Sequence, residues 1–544
     1  MSSKAVRLLS RWLAALFCLL PVTAIGASAE AFTTPSISAV RVEWRAVLDQ
    51  LRSEISTQPA VASRFTFSGQ RRVPAWDPRS TPALVQLNAI TSPIFAGIGR
   101  SPVPVLLPFD TARYLSAGGA PDGMSVSRFQ ADFRPADLFH AGPAGYDAVF
   151  SLDPGAGDGL PQRTFARPVE VQISGSILVY DLADPRGGKG EPVKALAAQF
   201  PDMRRFIREG YVRYAFTRFG IPYVVSIQCL DSTPRAQRLA CREAYPVAER
   251  FLKALRIAGG QPARPRFDIP SEIAERPTAV SPDFTYRPSG DIIARSGARK
   301  HAGRADLAAY SQIRFPLEKA PAVVGSQSFG KRKSERSGVY PWRDNFCETR
   351  SFQVGQCAAG FGHQGQDIRP APCPQNGESG SSCHPRKQAV VAVRDGILIR
   401  SLKQQAATLQ INTSNEHIRF RYMHMNPSSM DADGILNGRR VTEGEKIGVV
   451  SNYLDFPNGT SYHLHFDIQV FTRDGWLWVN PYATLISSYE RLIRGRGREI
   501  GTALPAAAAV AQARPEVSFV RTRSRAARTR AWTHERVAMS GERR

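Results

Sequence analysis

The chain has 544 residues, with 71 Lys and Arg against 47 Asp and Glu, for a formal net charge of +24. That length exceeds what one hydrophobic core supports, so two or three domains are expected. So basic a surface favours an anionic partner such as cell-wall polymer, lipopolysaccharide or membrane headgroups, the plain alternative being a solvated, composition-biased surface.

The first residues read as a secretory signal. Lys4, Arg7 and Arg11 precede an apolar run from Trp12 to Ile25, and Ala27-Ser28-Ala29 has the form of a cleavage site, which puts the mature start at Glu30. A retained anchor is the rival reading, but the run is shorter than the roughly 18–20 residues of a spanning helix, and no other stretch is apolar enough to cross a bilayer. Export to the periplasm or cell envelope argues against nucleic acid as a partner. It also puts Cys229, Cys241, Cys347, Cys357, Cys373 and Cys383 in an oxidising compartment. They fall into three sequential pairs, so local disulfides are the simplest connectivity. A zinc–thiolate site is the competing reading, and no Cys-x-x-Cys occurs.

Residues 30–258 alternate strand-like and helix-like segments and predict an α+β domain without a catalytic motif. Val169–Tyr180 reads as a strand, Val193–Glu209 has helical apolar spacing, and Tyr211–Cys229 reads as two strands around Gly220-Ile221-Pro222. Tyr245–Ile257 reads as a helix with Val247, Phe251, Leu252 and Leu255 on one face. Residues 259–336, rich in Pro, Arg, Ser and Gly, read as an extended linker wrapped over the surface. Residues 337–493 are strand-rich: Ala389–Ile399, Ala407–Thr413, His417–Met423, Lys446–Val450 and Tyr462–Val470 all look β, separated by Gly, Asn and Asp turns. Residues 494–544 read as a disordered basic tail, with 13 Arg against 4 Glu from Arg491 onward.

The chemistry concentrates in the strand-rich region. Six of the nine histidines fall between His363 and His465. Residues two apart on a strand share a face, so His463 and His465 project together with Leu464 behind them. His363 and Asp367 are four apart, and Gly362 and Gly365 argue for a turn that folds both side chains inward. A lone strand histidine is ordinarily satisfied by hydrogen bonds; the conjunction of three histidines and a carboxylate is what a catalytic Zn²⁺ needs, with three protein ligands and one open position.

These segments resemble the lysostaphin/LytM-type zinc metallopeptidases. The resemblance rests on His363-Gln364-Gly365-Gln366-Asp367, Tyr422-Met423-His424-Met425 and His463-Leu464-His465-Phe466. Val391 to Gly396, Val441 to Gly448 and Asn480-Pro481 support it, and it covers about residues 337–490. It implies an antiparallel β-sheet peptidase domain in which His363, Asp367 and His465 bind zinc, while His463 and His424 act on protons beside it. His463 is the expected general base and His424 the expected stabiliser, an order the sequence leaves open. The chain departs from the family pattern at Tyr462, at Asp467 where Glu is common, and in an insertion carrying Cys373, Cys383 and His384. His384 is expected to be solvated, with an extra metal ligand as the lesser alternative, and His417 is expected to face out from its strand rather than toward zinc. Asn345 and Arg350 lie where family loops approach the metal.

The expected function is therefore that of an exported zinc metalloendopeptidase cutting peptidoglycan cross-link peptides, with the basic tail holding it to anionic envelope material. Two alternatives stand beside it: a non-catalytic LytM-like module that binds the wall and activates an amidase, and an exported protease with protein substrates.

Overall fold

The structure is a computed structural model and describes residues 36–56, 83–116, 129–152, 168–182, 190–208, 210–229, 239–262, 283–291, 312–325, most of 341–357, 360–370, 388–454 and 456–500. The predicted signal, the Cys373–Cys383 pair with its loop and His384, and the basic chain beyond Ile500 lie outside the described residues. The chain to Gly501 is one compact unit, organised around two antiparallel sheets.

The first sheet has seven strands: β1 (Phe133–Gly142), β2 (Gly145–Leu152), β3 (Glu170–Ser176), β4 (Glu191–Pro192), β5 (Arg204–Arg208), β6 (Tyr211–Arg218) and β7 (Ile221–Gln228), in spatial order β1-β2-β3-β7-β6-β5-β4. Strand alternation divides its faces. Val171, Ile173, Val212, Tyr214, Phe216, Tyr223, Val225 and Ile227 enter one core. Helix α1 (Tyr245–Ala254) closes that core, its Phe251 ring edge-on to Phe133 with centroids 5.0 Å apart. The opposite face carries Gln172, Arg213 and Ser226 in one row, since Ser226 pairs with both of the others.

Val193–Glu209 is not the predicted helix. It makes one 3-10 turn at Lys194–Leu196 and then strand β5. Pro201 interrupts the segment and cannot donate to a helical ladder, and Gly210 at φ 74° lets β5 fold back on β6. The two strands about Gly220 and the Tyr245 helix form as expected, the helix stopping at Ala254.

The second sheet has eight strands: β8 (Ala322–Val324), β9 (Gln366–Pro370), β10 (Gly396–Ile399), β11 (Ala407–Asn412), β12 (His417–Met423), β13 (Arg440–Val441), β14 (Leu464–Thr472) and β15 (Gly475–Val479). The order is β8-β9-β14-β12-β11-β10-β13, with β15 also paired to β14. Leu409, Ile418, Phe420, Tyr422, Leu464, Phe466 and Ile468 enter a second core. Helix α2 (Tyr482–Ile493), absent from the sequence-based expectation, seals it with Leu485, Ile486 and Tyr489.

The linker expectation needs correcting where residues are described. Ile313, Phe315 and Leu317 are buried in the second core and Ala322–Val324 is strand β8, so this stretch is structural rather than a surface wrap. The tail boundary moves as well: Gly497–Glu499 pairs in parallel with Phe284–Tyr286, which keeps the chain in the fold past residue 494.

The two sheets meet through two small apolar clusters, Leu138 and Val149 with Ile397 and Ile399, and Ala215 and Val224 with Phe471 and Trp476, and through polar contacts. Asn412 bonds the backbone of Ala144 and Gly145, Arg213 donates to the Trp476 carbonyl at 2.8 Å, and Asp147 accepts from Ser174 at 2.6 Å and from Arg419 at 3.2 Å. His417, expected to face out from its strand, is fully buried here, 2.8 Å from Asp147 and stacked on Phe471. A buried imidazole needs a polar partner, and the first sheet supplies it.

Candidate metal centre

Strands β9 and β14 run side by side with Asp367 directly opposite His465. This approach requires Gly365: a Cβ there would lie 2.3 Å from the Phe466 carbonyl oxygen. His363 sits in the turn just before β9, and the Cys347–Cys357 disulfide braces it: the Cys347 amide donates to the His363 carbonyl at 2.8 Å, and the His363 amide donates to Glu348 at 2.7 Å. His463 enters β14 through a bridge to Ser451. His424 follows β12 at φ 71°, a left-handed backbone that costs a non-glycine residue energy and is concentrated at functional positions. Its amide donates to the Gln405 side chain.

All five residues singled out from the sequence therefore come together, and all are buried. One ligand atom from each of His363, Asp367 and His465 lies within 4.8 Å of the others. The His363 and His465 rings are 4.7 Å apart, those of His424 and His463 4.6 Å.

Hydrogen bonds fix the tautomers. A carbonyl or carboxylate oxygen only accepts, so the ring nitrogen facing it carries the proton. Nδ1 of His363 faces the Asn345 carbonyl at 3.0 Å, Nδ1 of His463 the Ser461 carbonyl at 2.7 Å, and Nδ1 of His424 the Tyr453 carbonyl at 2.7 Å. Nε2 of His465 faces Asp467 Oδ2 at 3.3 Å. In the neutral rings every inner nitrogen is then a bare lone pair. Nε2 of His363 and Nδ1 of His465 face each other at 2.9 Å. Nε2 of His363, Nε2 of His463 and Nδ1 of His465 lie 3.3, 3.4 and 3.4 Å from Asp367 Oδ1. Neither Asp367 oxygen has a well-formed protein donor, nor has His463 Nε2 a partner. Lone pairs and a carboxylate crowded together in a buried place repel unless a cation or proton lies among them. Imidazole nitrogen and carboxylate oxygen suit Zn²⁺, so the residues present fit that ion.

The electrostatics agree. Burial would raise the Asp367 carboxyl, but the charges of His463 and His363 hold it well below the usual range. Burial pushes His363 down, and burial with the neighbouring histidines pushes His424 well down, so the His424 ring is neutral at physiological pH. Burial also opposes the charge on His465, yet Asp367 and Asp467 outweigh it and raise this group.

Around the centre runs a supporting ring in which the family pattern marks Asn345, Asn480 and Asp467, while sequence reasoning missed Asp344, Gln366, Arg421 and Trp478. Asp344 accepts from Asn480 Nδ2 at 2.6 Å and from the Phe346 amide at 2.8 Å. Gln366 bridges Asp344 to Asn345, whose own Oδ1 accepts from the Asp367 amide at 3.2 Å. Asn345 thus positions both His363 and Asp367. Asp467 accepts from Arg421 at 2.7 Å and from Trp478 at 2.9 Å. Besides those family positions, the polar phase of the strands was a signal, since Asp467 and Gln469 continue the face of His463 and His465.

No family model and no curated protein matches the chain. One solved structure does, described as a glycyl-glycine endopeptidase LytM from Ruminococcus gnavus. It is 20% identical over 26% of this chain and 50% of that one, with a TM-score of 0.17. The match spans about half of that protein's length.

Proposed function

We propose that the protein is an exported zinc metalloendopeptidase that hydrolyses peptide bonds in peptidoglycan cross-links. The observation that carries this reading is the convergence of the inner nitrogens of His363, His463 and His465 on Asp367 Oδ1, each ring locked from behind by an acceptor. His363 Nε2, Asp367 and His465 Nδ1 would hold the ion. When bound, zinc supplies Lewis acidity and lowers the pKa of water toward about 7.

The other two histidines handle protons. His463 Nε2 carries a lone pair, because Nδ1–H is committed to Ser461, and can take a proton from the attacking water. The protonated ring then lies beside the Asp367 carboxylate, which stabilises its charge. His463 returns the proton to the leaving amine. His424, held by Tyr453 and Gln405, presents its second nitrogen beside His463 and orients the water or the developing oxyanion. The net charge of +24 favours a carboxylate-rich substrate such as wall peptide, and the disulfides at Cys229–Cys241 and Cys347–Cys357 suit an oxidising compartment. Among the described residues no helix is long and apolar enough to cross a membrane.

The test is incubation of purified protein with isolated peptidoglycan, with and without chelator, and mass spectrometry of the products. New amine and carboxyl ends that vanish with chelator and return with zinc are expected. Unchanged peptidoglycan with zinc-loaded protein would sink the reading.

A further inference from the structure

Between the two sheets lies a chamber of about 170 Å³. One wall comes from the first sheet, with Gln172, Arg213, Ser226 and Gln228; the other comes from the second sheet, with Thr408, Arg421 and Gln469. Stacked sheets ordinarily bury their apolar faces against each other. Here each sheet gives most of its apolar side chains to a separate core; between the sheets, Leu138 and Val149 meet Ile397 and Ile399, and Ala215 and Val224 meet Phe471 and Trp476, while the chamber itself is lined mostly by polar side chains. Those two apolar contacts account for the sheets meeting but not for the polar chamber beside them, where unmet buried polar groups are costly.

The chamber is lined by residues that adjoin the candidate centre. Its wall includes Gln364, next in sequence to His363, Met423, which pairs opposite His465, and Gln405, which holds the His424 amide. Its chemistry is that of amides. Gln172, Gln228, Gln364, Gln404, Gln405 and Gln469 all line it, each offering donors and an acceptor. Three of the lining arginines are paired within the protein: Arg400 with Asp431, Arg419 with Asp147 and Arg421 with Asp467, and Arg213 donates to the Trp476 carbonyl. Gln364 is 95% buried, since it is 5% exposed, and its Oε1 has no protein donor; a backbone N–H from a ligand would satisfy it. A volume near that of an apolar cavity holding one benzene, about 150 Å³, admits a peptide segment with small side chains and no bulky one.

We infer that this chamber is a subsite for the substrate peptide beside the scissile bond, and that the first sheet is a wall of the peptidase site rather than a separate module. This inference rests on the peptidase reading above and assigns the substrate class as a small-residue peptide held by its backbone amides.

Two substitutions in the first sheet test it, both distant in sequence from the five histidine and aspartate positions. Ser226→Leu fills the chamber, and Gln172→Ala removes an amide. The probe is the cross-linked stem-peptide dimer isolated from peptidoglycan, with kcat and KM measured on the zinc-loaded full chain. Fluorescence anisotropy of labelled dimer gives binding to the His463→Ala background, and zinc content and unfolding midpoint are recorded in parallel. Ser226→Leu is expected to raise KM and weaken binding by ~10-fold or more, and Gln172→Ala by ~3–10-fold for the lost hydrogen bonds, with zinc content unchanged. If Ser226→Leu lowers the midpoint, Gln172→Ala decides alone. KM and binding within about twofold of the parent protein, for a variant that folds normally, overturn the assignment. So does tighter binding or faster turnover, which would make the first sheet a cover over the site. A parent protein that neither binds nor cleaves the dimer defeats the peptidase reading itself, whereas normal parent activity with indifferent variants defeats only the chamber.

Discussion

Replacing Asp467 by Asn should loosen the metal without touching a ligand. Each oxygen of Asp467 serves two donors: Oδ2 receives Arg421 at 2.7 Å and His465 at 3.3 Å, and Oδ1 receives Trp478 at 2.9 Å and Gln469 at 3.1 Å. An asparagine has one acceptor oxygen, so its NH₂ must face one of these donor pairs. Turned toward Trp478 and Gln469, it leaves unmet buried groups costing about 1–3 kcal/mol each. Turned toward Arg421, it strands a buried charge at about 3–5 kcal/mol. The first orientation costs less and keeps a neutral acceptor for His465 Nε2. His465 then loses the carboxylate that fixes its tautomer and raises its basicity, a class of change that costs about 10–100-fold in metal affinity, or ~1.4–2.7 kcal/mol. Competition with a chromophoric chelator reads the zinc affinity, and urea unfolding of the metal-free protein reads stability. Zinc affinity within about twofold of the parent, alongside a clear stability loss, would refute the argument; Asp467 would then hold the sheet without tuning His465.

Three further outcomes follow from the same geometry. His463→Ala should keep one zinc per chain and lower kcat by about 10²–10⁴-fold; normal turnover would remove His463 from the proton path. Asp147→Asn should destabilise the compact unit by about 3–5 kcal/mol at neutral pH, because His417 and Arg419 lose a buried carboxylate. Burial favours the neutral acid, but the His417 and Arg419 charges depress the Asp147 pKa. Its contribution is therefore full above the unfolded value of about 3.9 and lost as pH falls through the folded value. The gap between parent and variant, measured by urea unfolding, should close only below about pH 4; a gap that closes between pH 5 and 7 would contradict this. Deleting residues 501–544 should weaken binding to anionic wall material mostly at low salt, since exposed charges are screened over about 8 Å at physiological ionic strength. Cleavage of a small soluble peptide should barely change, and its loss in a folded protein would place the tail in the site.

Much of the site was legible because it is written in local periodicity. The strand period of two put His463 and His465 on one face. Gly365 reads as a turn residue that brings His363 and Asp367 inward; the structure gives it a different job, the close crossing that sets Asp367 opposite His465. The pairing of Cys347 with Cys357 followed from their closeness in sequence. The strands at Tyr211–Arg218, Ile221–Gln228, Ala407–Asn412 and His417–Met423 were all visible as β-branched and aromatic runs. Where local signals misled, a long-range partner had overruled them. Val193–Glu209 has helical spacing, yet its second half gains a strand pairing with β6. The stretch around Ile313–Val324 looks like linker because its few apolar residues are scattered, and each fills a place in a core built by others.

The sequence by itself determined which side chains could hold and assist a metal, because strand alternation and motif spacing are properties of neighbouring residues. Only the tertiary structure decided how each imidazole is locked and what covers the polar face. Asn345 and Tyr453 set the tautomers of His363 and His424 through hydrogen bonds across 18 and 29 residues of chain, which no spacing rule connects, whereas Ser461 and Asp467 lie only two residues from the rings they hold. His417 meets Asp147 across 270 residues of chain, and a contact of that separation leaves no periodic trace, since either sheet alone would present the same alternating pattern to water.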